Sequence, residues 1–147
     1  MSTVESGPRA TGQGPAARRP LFGLELDALT LAEVLDCCER AITTNSRLLI
    51  GVVNAAKVVN LRRDPLLRES LLESDLLLAD GQSVVWASRL LRHPLPERVA
   101  GIDLFERLLE LADREHRSVY LLGARPAVLA ELVRRVGPVV QRYLDAE

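Results

Sequence analysis

The sequence has one lysine, two histidines, two cysteines and 3% aromatic residues. The cysteines, Cys37 and Cys38, are neighbours in an apolar periodic segment, so they read as buried thiols of a helix rather than a redox pair, and a reducing, cytoplasmic setting fits them. His93 and His116 belong to no Cys/His or HExxH-type ligand cluster, and no structural metal is expected. Nineteen basic residues against twenty acidic ones leave a net charge of −1, which, with so few aromatic side chains for bases to stack on, excludes nucleic acid as a partner class. Because Lys57 is the only lysine, the basic residues are almost all Arg, a bias that points to codon composition before phosphate recognition. Charged residues interrupt every apolar stretch before it reaches the ~20 residues of a membrane span. Both the full GxGxxG spacing and the Walker lysine motif are absent, which leaves an NAD or ATP assignment unsupported. Residues 1–20 are rich in Gly, Pro, Ala and Arg without the apolar centre of a signal peptide, and are expected to be a disordered tail.

What remains is an ordinary globular composition: 147 residues, 48% hydrophobic and 27% charged, enough for one domain with its own core over residues 21–147. Residues 21–26 alternate like a short strand, with a turn at Asp27 and Ala28. Thr30 followed by Glu33 is a capping-box signature, and Leu31, Val34, Leu35, Cys38 and Ile42 continue at helical spacing to an end near residues 43–46. The unbroken apolar run 48–53 predicts a central strand stopping at Asn54, with helices expected over 55–61 and from Asp64-Pro65 to 72. A second strand is expected over 75–79, a helix over 83–91, a helix capped by Asp103 from 104 to about 114, a third strand over 118–122, a helix from Pro126 to 136, and a short helical tail over 139–146. Strands alternating with helices predict an α/β, Rossmann-like, mostly parallel sheet flanked by helices, with a short N-terminal strand.

In such sheets ligands gather beyond the carboxyl ends of the strands, which makes Asn54, Asp80-Gly81 and Gly123 candidate neighbours. A carboxylate at the position of Asp80, in a less aqueous setting, can act as a general base toward a substrate hydroxyl; alternatively Asp80-Gly81 is simply a turn. Asn54 offers an amide donor and a carbonyl acceptor to a sugar, or else caps the helix after it. Arg98 either presents a cationic fork to a diphosphate or pairs with Glu97 or Asp103, while Gly101 permits close backbone approach. Gly123 lies in a strand, glycine and helix-start sequence, Tyr120-Leu121-Leu122-Gly123-Ala124-Arg125-Pro126, able to receive a phosphate on backbone N–H groups or to serve as an ordinary turn.

Four stretches in order, Val53-Asn54-Ala55-Ala56-Lys57-Val58-Val59, Ser74-Asp75-Leu76-Leu77-Leu78-Ala79-Asp80-Gly81, Arg98-Val99-Ala100-Gly101-Ile102-Asp103-Leu104 and Val119-Tyr120-Leu121-Leu122-Gly123, resemble the WecG/TagA/CpsF glycosyltransferases, as does the opening LFGLELDALTLAEVLD. The resemblance implies inverting, metal-independent transfer of an N-acetylmannosamine-type sugar from a UDP donor to an undecaprenyl-diphosphate-linked acceptor, in wall or surface polysaccharide synthesis. It needs no cofactor beyond the UDP-sugar substrate, and it places the chain in the cytoplasm or at the inner face of the membrane. It also implies that Asp80 matches the family's base, that Asn54 lies in the donor-sugar pocket, and that Arg98 matches a diphosphate-contacting arginine. Val52 stands where that family usually has threonine, so one hydrogen bond is missing, an effect of ~1 to 3 kcal/mol. Family members continue beyond the position of Glu147 with elements that complete the nucleotide site. A second copy or a fuller transferase is therefore an expected partner, and an inactive binding or assembly module is the alternative function.

Overall fold

The computed structural model describes residues 17–123 and 125–136. They divide into two units, the first ending at Leu104 and the second beginning at Phe105, each described by itself. Among the described residues no helix is long and apolar enough to cross a membrane. The helical tail expected over 139–146 lies outside the described residues.

The first unit opens with a hairpin: β1 (Arg18–Leu21) pairs antiparallel with β2 (Leu24–Asp27) across a two-residue turn at Phe22 and Gly23. Both turn residues have positive φ, 58° and 75°, as the tightest hairpin turns require. This corrects three expectations. The segment 21–26 is two strand ends around a turn, and residues 18–20, expected in the tail, are strand because the partner strand satisfies their backbone groups. Asp27, expected in a turn, ends β2 as a buried residue.

Helix α1 (Leu31–Thr43) starts on the capping box read from the sequence, with Thr30 Oγ1 accepting from Glu33 N–H and the Glu33 carboxylate accepting from Thr30 N–H at 2.7 Å. Those bonds hold the Glu33 carboxyl below its ordinary value. Leu31 N–H donates to Glu97 at 2.6 Å, so Glu97 adds a tertiary cap rather than pairing with Arg98. Val34, Cys38 and Ala41 bury the inner face of α1, and burial pushes the Cys38 thiol up to about 11, with Cys37 and Glu39 adding to it.

Strand β3 (Ile50–Val53), helix α2 (Ala55–Asn60), helix α3 (Pro65–Leu72) and strand β4 (Leu76–Ala79) form the α/β centre. Proline at the first turn of α3 and Asp64, whose carboxylate accepts from Leu67 N–H at 3.0 Å, fix its start. β3 and β4 are parallel, with Val53 opposite Ala79, so both strands deliver the chain to the same end of the sheet. The fold is α/β with a parallel pair, an antiparallel hairpin and helices, as expected in class.

Helix α4 (Gln82–Leu90) follows β4 and buries Val84, Val85 and Ser88. Ser88 is fully buried; its hydroxyl donates to Val85 C=O at 2.7 Å and accepts from Leu95 N–H at 3.0 Å, which folds the loop after α4 back onto the core. That core gathers Leu21, Leu24 and Leu26 from the hairpin, Val53 and Leu77 from the parallel pair, and Val84 and Val85 from α4. Each such side chain contributes roughly 1.5–3 kcal/mol by leaving water.

Helix α5 (Gly101–Arg114) begins three residues earlier than expected, which places Asp103 in its first turn instead of at its cap. In the second unit α6 (Pro126–Val136) matches the expected helix. The expected strand over 118–122 does not form, and Tyr120 and Leu122 are 68% and 89% exposed. A strand exists only through its ladder, and the described elements of this unit are helical.

Candidate functional site

The carboxyl ends of β3 and β4 carry Asn54 and Asp80 side by side. Asp80 N–H donates to Val53 C=O at 2.9 Å, continuing the parallel ladder one step past both strands. Gly81 lies against Asn54: a Cβ on Gly81 would stand 3.8 Å from the Asn54 Cα and 3.4 Å from the Ser83 hydroxyl, ordinary contact distances.

The loop 99–101 passes the same end. Val99 N–H donates to Ala79 C=O at 2.8 Å, and Gly101 N–H donates to Asp80 Oδ1 at 3.2 Å. Gly101 supplies the first N–H of α5, so the Asp80 carboxylate does the work of a helix cap from 21 residues away. Its side chain is not spent on its own turn: α4 begins at Gly81 with no side-chain cap. The half-buried carboxylate thus has one oxygen fixed by Gly101, while Oδ2 takes no hydrogen bond from the described residues. A Cβ on Gly101 would meet Val52 Cγ2 at 3.9 Å, an ordinary contact, so the N–H of Gly101 matters here more than its lack of a side chain.

Asn54 caps α2, its Oδ1 accepting from Lys57 N–H at 3.0 Å, which leaves its amide N–H groups for any ligand. Lys57, one turn along, donates from Nζ to Val52 C=O at 2.7 Å and so brings an ammonium to the strand end. Sequence reasoning passed over this role, although a sole lysine three residues after a capping Asn was the available signal. Arg98 pairs with Asp103 at 3.0 Å, one of the two arrangements the sequence allowed. Both side chains are about half exposed (45% and 46%), so the pair is weak and exchangeable.

Asn54, Asp80, Gly81 and Gly101 are therefore brought together, with Val52 and Lys57 beneath them, and Arg98 leaves the loop next to Val99. Gly123, with φ 104° in the left-handed region that favours glycine, belongs to the second unit. Among the described residues no group of three His, Cys, Asp or Glu could hold a metal ion. The arrangement sets a carboxylate oxygen beside amide donors and the Lys57 ammonium, a set suited to a polar ligand whose hydroxyl is to be deprotonated.

The family model described as Glycosyl transferase WecG/TagA/CpsF family matches residues 19–143. Over 74 residues the chain is 40% identical to the N-acetylglucosaminyldiphosphoundecaprenol N-acetyl-beta-D-mannosaminyltransferase of Bacillus spizizenii, a match covering 50% of this chain and 29% of that protein. The aligned part is thus less than a third of the relative's length.

Proposed function

This chain belongs to the WecG/TagA/CpsF family of glycosyl transferases, and from that premise we propose that it transfers an N-acetylmannosamine-type sugar from a UDP donor to an undecaprenyl-diphosphate-linked acceptor. The observation that carries the reading is Asp80 held at the end of β4 by Gly101 N–H, with Asn54 at the neighbouring end of β3.

In this reading Oδ2 of Asp80 takes the proton of the acceptor hydroxyl as that oxygen bonds to the anomeric carbon. The bond from that carbon to the UDP oxygen breaks, UDP leaves with the electron pair, and attack opposite the leaving group inverts the centre. The amide of Asn54 donates to the donor sugar, since its carbonyl is already used by Lys57 N–H. Arg98 exchanges Asp103 for the diphosphate, and the uncapped N–H groups at the start of α4 face developing negative charge, so the reading routes no step through a metal. Lys57 is a positioning residue that secures the end of β3. A lipid-linked acceptor makes the protein peripheral at the inner face of the cell membrane.

Calorimetry with UDP and UDP-N-acetylmannosamine tests the donor half. Saturable binding is expected, weakened about tenfold or more by Arg98→Ala through loss of a charge-assisted contact. No binding by the folded chain would sink the reading.

A further inference from the structure

Residues 95–101 approach Asp80 on alternate ties. Leu95 N–H donates to the buried Ser88 hydroxyl at 3.0 Å, Val99 N–H to Ala79 C=O at 2.8 Å, and Gly101 N–H to Asp80 Oδ1 at 3.2 Å. All three are backbone donors met from the stretch 79–88, and Leu95, Val99 and Ala100 are buried beside them. Arg98 stands exposed within this run. Glu97 differs in kind: its carboxylate Oε1 accepts at 2.6 Å from Leu31 N–H, the first N–H of α1 and 66 positions away. Among the described residues this is the hydrogen bond that fastens residues 96–98 to a separate element, because the Arg98 guanidinium pairs with Asp103, itself about half exposed.

The tie suits both of its ends. A helix leaves its first N–H groups without an intrahelical acceptor. Thr30 and Glu33 satisfy one another in the capping box and leave Leu31 N–H to Glu97. The positive end of α1 favours a carboxylate. The helix is also a firm anchor, since Val34, Cys38 and Ala41 bury its inner face. The same bond keeps a negative charge off Arg98: a free carboxylate on the neighbouring residue would compete with an anionic ligand for the guanidinium.

We propose that Glu97 is a positioning residue for donor binding, which ties the loop to α1 so that Arg98 is held ready for a nucleoside diphosphate when it releases Asp103. The proposal rests on the transferase reading, which gives Arg98 its ligand. Its sign separates it from a simple charge effect. Removing a carboxylate beside a diphosphate site strengthens anion binding through the field alone. Removing an anchor weakens it, because the loop must then be ordered at each binding event.

The test is calorimetry with UDP on the full chain, at a temperature where every variant is folded. Glu97→Ala should weaken UDP binding about fivefold or more, and Glu97→Gln, whose amide oxygen still accepts from Leu31 N–H, should recover most of that loss. In an Arg98→Ala background the same Glu97→Ala change should cost less than about twofold, since the anchor acts through Arg98. Asp64→Ala, which removes the cap of α3 and leaves the loop untouched, should lower the urea midpoint while UDP affinity stays within about twofold. Hydrogen exchange reads the anchor with no ligand present: the Val99 and Gly101 amides should exchange at least about threefold faster in Glu97→Ala. Glu97→Ala binding UDP as well as the wild type or better, an equal loss with and without Arg98, or unchanged exchange at both amides overturns the proposal and leaves the transferase reading standing. A folded wild-type chain that does not bind UDP overturns both.

Discussion

Asp27→Ala should destabilise the protein by about 1–4 kcal/mol, and the structure says where that comes from. The Asp27 carboxylate is 4% exposed, and it accepts from Leu77 N–H at 2.8 Å and from Arg18 Nε at 3.1 Å. Strand alternation turns the peptide of Leu77 away from β3, so the carboxylate is what satisfies that edge of β4. Truncation leaves a buried N–H without an acceptor, which costs about 1–3 kcal/mol. Arg18 also loses its carboxylate partner, but its Nη2 still donates to Asp75 C=O at 3.2 Å and at 45% exposure the rest rehydrates, so its share is at most about 1 kcal/mol. With a urea slope of about 1.5 kcal/mol per molar, the unfolding midpoint should fall by roughly 1–3 M. Arg18→Ala should move it by less than about 0.7 M on the same slope. Asp27→Asn, which keeps an oxygen for Leu77 N–H, should fall between the two. A midpoint for Asp27→Ala within experimental scatter of the wild type, or an equal loss in Arg18→Ala, would refute the assignment of Asp27 as the pin of β4.

Gly51→Ala should lower the melting temperature by several degrees, because its new Cβ would collide with the Ser74 hydroxyl and stand 3.0 Å from Leu77 Cδ1, an overpacking worth about 1–3 kcal/mol; Ser74→Gly in the same chain should restore part of it. Asp103→Asn frees Arg98 from its ion pair and should raise UDP affinity by about two- to fivefold in calorimetry, whereas unchanged affinity would mean that Arg98 does not meet the donor. Cys38 makes stability fall above pH 9: the folded thiol, pushed up to about 11, keeps its proton while the unfolded thiol, with its ordinary value of 9.0, releases it. Urea unfolding at pH 8, 9 and 10 should show that slope in the wild type and a shallower one in Cys38→Ala.

Elements governed by neighbouring residues were legible in the sequence. The start of α1 follows from Thr30 and Glu33, that of α3 from Asp64-Pro65, and the paired strands β3 and β4 from unbroken apolar runs. Elements governed by distant partners were not. Phe22 is no turn residue by type, and β1 is strand only because β2 lies beside it. Asp27 looks like a turn residue until Leu77, fifty positions away, supplies its hydrogen bond. The start of α5 was misplaced because its cap is the Asp80 carboxylate and not a preceding side chain. The run 118–122 has the composition of a buried strand, but composition does not supply a ladder. At the site, the sequence set Asn54 beside Asp80-Gly81 and offered Asn54 as the cap of α2, the bond its carbonyl makes with Lys57 N–H; it grouped them with Gly123, which belongs to the second unit, and not with Gly101, whose N–H meets Asp80 only in the fold.

Transfer of labelled N-acetylmannosamine from the UDP donor to a soluble acetylglucosaminyl-diphosphate prenyl acceptor, in wild type and Asp80→Asn, tests the central claim most directly. The amide retains an oxygen for Gly101 N–H, so the variant should keep its unfolding midpoint and its UDP affinity while transfer falls by about 10²–10⁴-fold, the contribution of a positioned general base. Transfer by Asp80→Asn within a few-fold of wild type, or no transfer by a wild-type chain that binds UDP, would contradict the account.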